Sequence, residues 1–99
     1  MDPFLFSIRS FILYSRQGCC LCEGLEERLL ELLPPGQLQV VDVDRDPALQ
    51  ARYGLSVPVL AQVSPGGHGG HDPLIRPLPP VPPRLRGEGL QAWLQRHGD

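Results

Sequence analysis

The sequence predicts an α/β domain, and three observations carry that expectation. Short apolar runs alternate with helical segments in the order strand, helix, strand, helix, strand over residues 11–63. Two consecutive strand–helix–strand steps imply at least one parallel pair. The apolar fraction is 41% over 99 residues, which is ordinary for a folded chain and enough for one modest core. A single domain over 1–99 is expected, with residues 1–10 as an N-terminal extension and 64–86 as a Gly/Pro-rich loop or edge segment.

The elements follow in order. Phe11-Ile-Leu-Tyr14 is a continuous apolar run between Ser10 and Ser15, as in a strand buried on both faces. After an Arg16-Gln-Gly18 turn, Leu21, Leu25, Leu29, Leu32 and Leu33 recur at helical spacing, with Glu23, Glu26, Glu27, Arg28 and Glu31 assigned to a solvent face. Pro34-Pro35-Gly36 stops this helix. Leu38 to Val43 alternates and is Val-rich, so it reads as a second strand. Asp44-Arg-Asp-Pro47 supplies an N-cap and a first-position Pro for a short helix from Ala48 to Tyr53, closed by Gly54. Val57 to Val63 reads as a third strand with Pro58 near its start, where a missing N–H does least harm.

The pattern breaks at Ser64. Gly66-Gly-His-Gly-Gly70 is followed by a stretch from Pro73 to Pro83 that holds half of the chain's 12 prolines. A central strand does not accommodate so many missing donors, which leaves a loop, a polyproline II segment or an edge strand. Gly87-Glu-Gly89 then opens a terminal helix in which Leu90, Trp93 and Leu94 share the core face.

Charge and cysteine placement exclude whole classes. Nine Arg against eleven acidic residues leave a net charge of −2, which gives no broad attraction to nucleic acid or an anionic membrane. Asp2 and Arg9 interrupt the apolar start, no targeting signal follows, and no run reaches the roughly 20 apolar residues that span a bilayer. A soluble cytoplasmic protein, acting as a monomer, is expected. Cys19, Cys20 and Cys22 fall within one tetrapeptide and cannot staple distant parts of a fold.

Their chemistry is therefore their own. Cys19 and Cys22 form a C-x-x-C at the junction of the first strand and first helix. There the free N–H groups and the positive helix terminus favour a thiolate on Cys19. Cys22, one turn later, can close a disulfide with it and expel a substrate thiol. Two other readings compete: half of a metal site completed by Cys20, His68, His71 or His97, and a pair of inert buried cysteines.

Residues 11–89 resemble the thioredoxin superfamily, in particular the small glutaredoxin-like proteins whose first strand runs into a C-x-L-C helix start. The resemblance rests on Leu13-Tyr-Ser-Arg-Gln-Gly-Cys-Cys-Leu-Cys22, on Val40-Val-Asp-Val43, and on Tyr53-Gly-Leu-Ser-Val-Pro-Val59. It implies a three-layer thioredoxin-like domain with a mixed sheet of three or four strands flanked by helices, and a cis Val57–Pro58 bond facing the cysteines. It further implies that Cys19 attacks and Cys22 resolves. Val57 would offer its backbone to a peptide or to glutathione, and Pro58 would keep metals from the thiols. Arg16 would support the thiolate or pair with a glutathione carboxylate. Gly87 and Glu88 would hold the other end of glutathione.

This chain departs from the family pattern at two places. Cys20 stands where Pro is commoner; adjacent cysteines form only a strained ring, so Cys20 is expected to be a bystander. The Gly/Pro-rich stretch replaces a tight hairpin, and its P-x-x-P spacings also suit a Pro-reading partner. The expected activity is disulfide or glutathione mixed-disulfide reduction through the C-x-x-C dithiol, with glutathione or a disulfide-bearing protein as partner and no bound cofactor or metal. The alternative is a non-enzymatic module that binds a metal, an iron–sulfur cluster or a protein through the same cysteines.

Overall fold

The computed structural model describes residues 10–34, 36–64 and 74–97. The N-terminal extension, Pro35, and residues 65–73 with His68 and His71 lie outside the described residues, as do 98–99.

Four strands form one mixed sheet in the order β2-β1-β3-β4: β1 Ser10–Ser15, β2 Leu38–Asp42, β3 Val59–Ser64 and β4 Leu74–Pro77. β1 is parallel to β2 and antiparallel to β3, and β3 is antiparallel to β4. The parallel pair is the one the first strand–helix–strand step requires. The doubtful fourth strand exists as an edge: Leu74–Pro77 is exposed throughout, and Pro77 sits opposite Ala61 where no further strand asks for its absent N–H.

Among the described residues three helices cover the sheet: α1 Cys20–Leu32, α2 Pro47–Tyr53 and α3 Gly87–His97. Phe11 and Leu13 from β1, Leu25 and Leu29 from α1, Leu60 from β3, and Leu90, Trp93 and Leu94 from α3 form the main core. Tyr14, Val43 and Ala61 form a second cluster, against which Leu49 and Tyr53 of α2 pack. Alternation along β1 sends successive side chains to opposite faces. α1 and α3 therefore share one side of the sheet and α2 covers the other. This is a three-layer α/β arrangement of the thioredoxin type. Among the described residues no helix is long and apolar enough to cross a membrane.

Two local expectations are corrected. β2 ends at Asp42, whose carboxylate accepts the Asp44 N–H at 2.9 Å; Val43 turns into a 3-10 segment, Val43–Arg45, that drives its side chain into the second cluster. The expected cap-and-proline start of α2 is present: Asp46 accepts the Ala48 N–H at 2.9 Å, with Pro47 next. β3 starts at Val59 and not Val57: Val59 pairs with Tyr14, whereas Pro58 has no N–H for the ladder.

A third correction matters more. Arg28, assigned by charge to the solvent face of α1, is 8% exposed. Its Nε donates to the Gly24 carbonyl at 3.2 Å, and its Nη1 donates to the carbonyls of Pro82, at 3.4 Å, and Leu85. The Pro-rich segment folds back over α1 and covers a position that an isolated helix would leave wet.

Candidate active site

The junction of β1 and α1 is built around Gly18, whose φ of +78° is open to glycine and strained for other residues. Gly18 turns the chain so that Cys19 occupies the N-cap of α1 in extended backbone. The Cys22 N–H donates to Cys19 Sγ at 3.2 Å, so a first-turn donor of the helix points at this sulfur. Cys19 and Cys22 are joined as a disulfide, with Cα atoms 5.2 Å apart.

The two sulfurs differ in access. Cys22 is fully buried beneath α1, while Cys19 is half-buried at the end of the helix. A thiolate on Cys19 gains from the donor and from the positive helix terminus, and an incoming sulfur can reach it. Cys20 is exposed and outside the disulfide.

Arg16 is engaged within the chain. Its Nε and Nη2 grip the two carboxylate oxygens of Asp44, at 3.0 and 3.1 Å, in a fork that Gln50 Nε2 extends at 3.2 Å. This pair ties the loop after β1 to the segment after β2.

Val57 and Pro58 are half-buried just ahead of β3, and the peptide between them is cis. Pro58 lines a cleft of about 190 Å³ together with Leu21, Leu25 and Arg28 of α1 and Pro80, Val81 and Pro83 of the Pro-rich segment. Ser56, Pro58 and Pro80 also line an adjoining cleft that includes Arg52 and Tyr53. Gly87, with φ +55°, and Glu88 are exposed in the first turn of α3, outside both clefts.

Behind the site, the Tyr14 and Tyr53 rings stack with centroids 4.6 Å apart, and Arg52 lies 5.5 Å from the Tyr53 ring centre. Burial holds the Tyr14 hydroxyl above its ordinary value of 10.0, Tyr53 adds to the rise, and Arg52 opposes it. Among the described residues no three His, Cys, Asp or Glu side chains gather around a point that one metal ion would occupy.

The sequence reading missed Arg28 and the walls given by Pro80, Val81 and Pro83. A signal for the first was present: Leu21, Leu25, Arg28 and Leu32 are spaced four, three and four residues apart, which puts Arg28 on the apolar stripe.

A mixed sheet with helices on both faces, and a paired C-x-x-C at the junction of its first strand and first helix, define a thioredoxin-fold dithiol domain. The family model of the glutaredoxin-like domain (DUF836) matches residues 10–95, and the chain belongs to that family. Among solved structures, target protein XcR50 from X. campestris is similar at 32% identity and a TM-score of 0.54, over 88% of this chain and 97% of that chain. No curated protein matches the chain.

Proposed function

We propose that the protein is a glutaredoxin-like thiol–disulfide oxidoreductase whose dithiol is Cys19 and Cys22. The observation that carries the reading is the asymmetric pair: Cys19 is accessible and faces a helix-terminal N–H, while Cys22 is buried and within bonding reach behind it.

In the reduced protein the Cys19 thiolate attacks one sulfur of a substrate disulfide. A Cys19–substrate disulfide forms, and the other substrate sulfur leaves as a thiolate that takes up a proton. Cys22 then gives up its proton and attacks Cys19 Sγ, releasing the second substrate thiol. The substrate gains two electrons and two protons, and the protein ends with the Cys19–Cys22 disulfide. A dithiol or two molecules of a monothiol such as glutathione return it to the start. Val57 offers main-chain groups beside the reacting sulfur, and Pro58 walls the site. Glutathione mixed disulfides and protein disulfides are the substrates, Arg16, Gly87 and Glu88 being the positions that resemblance assigns to glutathione. The protein works as a monomer in the reducing cytoplasm, with neither membrane nor nucleic acid as partner.

The test counts free thiols before and after reduction, for the parent chain, Cys19→Ser and Cys22→Ser. Two thiols should appear on reduction of the parent, and turnover should vanish without Cys19. Cys22→Ser should trap a mixed disulfide on Cys19. Glutathione-coupled turnover that survives both substitutions would remove the assignment, and colour or bound metal lost with the same substitutions would favour a metal or cluster module.

A further inference from the structure

Arg28 is the feature that dithiol exchange leaves unused. A buried guanidinium ordinarily faces a carboxylate, because a lone charge is costly to desolvate. Here the groups it bonds are main-chain carbonyls, those of Gly24, Pro82 and Leu85. Gly24 lies on α1, while Pro82 and Leu85 belong to the segment that runs from β4 to α3. The side chain therefore clamps that segment onto the helix that carries Cys22, fifty-four and fifty-seven residues away in sequence from the two carbonyls.

What the clamp holds is one wall of the cleft beside the dithiol. Pro80, Val81 and Pro83 flank the clamped carbonyl of Pro82, and across from them stand Pro58 and two leucines of α1. Leu21, the residue between Cys20 and Cys22, lines the cleft and is 63% exposed. The lining of the cleft is mostly aliphatic and prolyl carbon, with Ser56 and Arg28 as its polar members and no carboxylate, and through Leu21 it adjoins the C-x-x-C in sequence. Arg28 is its charged member, with Nε and Nη1 already turned to carbonyls. The nearby cation Arg16 is matched by Asp44.

We infer that Arg28 is a specificity-positioning residue: by pinning Pro82 and Leu85 to α1 it keeps this cleft shaped for an apolar side chain next to the disulfide of a peptide or protein substrate. The inference rests on the dithiol-exchange reading and names the substrate class of that site. Burying a Leu-sized side chain in such a cleft is worth about a tenfold gain in kcat/KM over a residue that must stay hydrated.

The test uses the full chain regenerated by dithiothreitol and four disulfides: hydroxyethyl disulfide, and three peptide disulfides with the cysteine flanked by Leu, Lys or Asp. Turnover of hydroxyethyl disulfide probes the dithiol reading alone; if it fails, that reading fails with it. Given that turnover, the parent should prefer the Leu peptide about tenfold over both charged peptides. Arg28→Met should raise KM for the Leu peptide severalfold more than it raises KM for hydroxyethyl disulfide, a loss of selectivity that a merely structural role would not produce. Pro80→Glu, a change at an exposed wall position, keeps the question open to test if Arg28→Met does not fold. It should lower the Leu preference and favour the Lys peptide. Equal use of the three peptides by the parent, or a preference for Asp that shows the guanidinium reading an anion, overturns the inference.

Discussion

Replacing Arg28 by Met separates a solvent-facing helix cation from an internal clamp. Met keeps the apolar stem and leaves no large cavity, so the change isolates the guanidinium. The Leu85 carbonyl, half-buried, loses a charge-assisted donor worth roughly 1.5–3 kcal/mol. The Pro82 carbonyl is exposed and 3.4 Å away, so water replaces that bond at little cost. The Gly24 carbonyl keeps its helical partner. Against this stands relief of the guanidinium's desolvation, which offsets part of the loss because the charge is bonded to carbonyls and not to a carboxylate. The net expectation is a loss of about 1.5 kcal/mol, or a drop in Tm of about 6–12 °C for a domain of this size. Thermal melts of the reduced protein followed by circular dichroism read it, with Glu27→Met as control, since Glu27 is exposed on the same helix and should move stability by less than about 0.5 kcal/mol. Arg28→Lys should recover no more than part of the loss, because one ammonium cannot serve carbonyls in the fork geometry. A drop no larger than that of Glu27→Met, or a gain in stability, would refute the clamp.

The other expectations concern the site and its support. Tyr14→Phe should flatten the alkaline limb of stability: the folded hydroxyl titrates above its unfolded value of 10.0, so its contribution is complete below pH 10 and is lost as pH rises beyond it. Urea melts from pH 8 to 11 should show the parent losing stability faster than the variant, and parallel curves would count against a buried neutral hydroxyl. Asp44→Ala should cost no more than about 1 kcal/mol in urea melts, as for a pair that is one-third exposed, yet release Arg16. If Arg16 reads a glutathione carboxylate, KM for a glutathionylated peptide should fall severalfold with hydroxyethyl disulfide unchanged; equal changes for both would confine Arg16 to tying loops. Cys20→Ser should leave kcat/KM within about twofold and leave two thiols appearing on reduction, because Cys20 stands outside the disulfide. A tenfold loss would give the third thiol a part in exchange.

The sheet and its helices were largely readable because each element announces itself locally. Phe11 to Tyr14 has no polar residue, Asp46-Pro47 is a cap and first-position pair, and the leucines of α1 repeat at helical spacing. The misplaced boundaries came from side chains choosing between local partners. Asp42 captured the Asp44 N–H and ended a strand whose valines alone would have carried it one residue further. The edge strand was hard to read for the opposite reason. Leu74–Pro77 has no buried face, so its pairing with β3 leaves no alternation in the sequence.

The candidate site divides along the same line between local and distant causes. Cys19 and Cys22 were readable because a turn glycine, an N-cap and a one-turn spacing are all contained in five consecutive residues. The partner of Arg16 was not, since Asp44 is 28 residues away and charge alone does not say whether a cation meets a substrate or its own chain. Arg28 shows the hardest case. Its position on the apolar stripe and its charge pull in opposite directions, and charge is the better guide until something covers the helix. The Pro-rich segment is what covers it: a turn closes there with the Leu85 N–H donating to the Pro82 carbonyl at 3.2 Å, and the carbonyls of Pro82 and Leu85 face the helix, where they take further donors. A guanidinium on the facing stripe supplies them. The surplus of proline and the buried arginine are thus two halves of one solution, and the cleft beside Pro58 is where they meet.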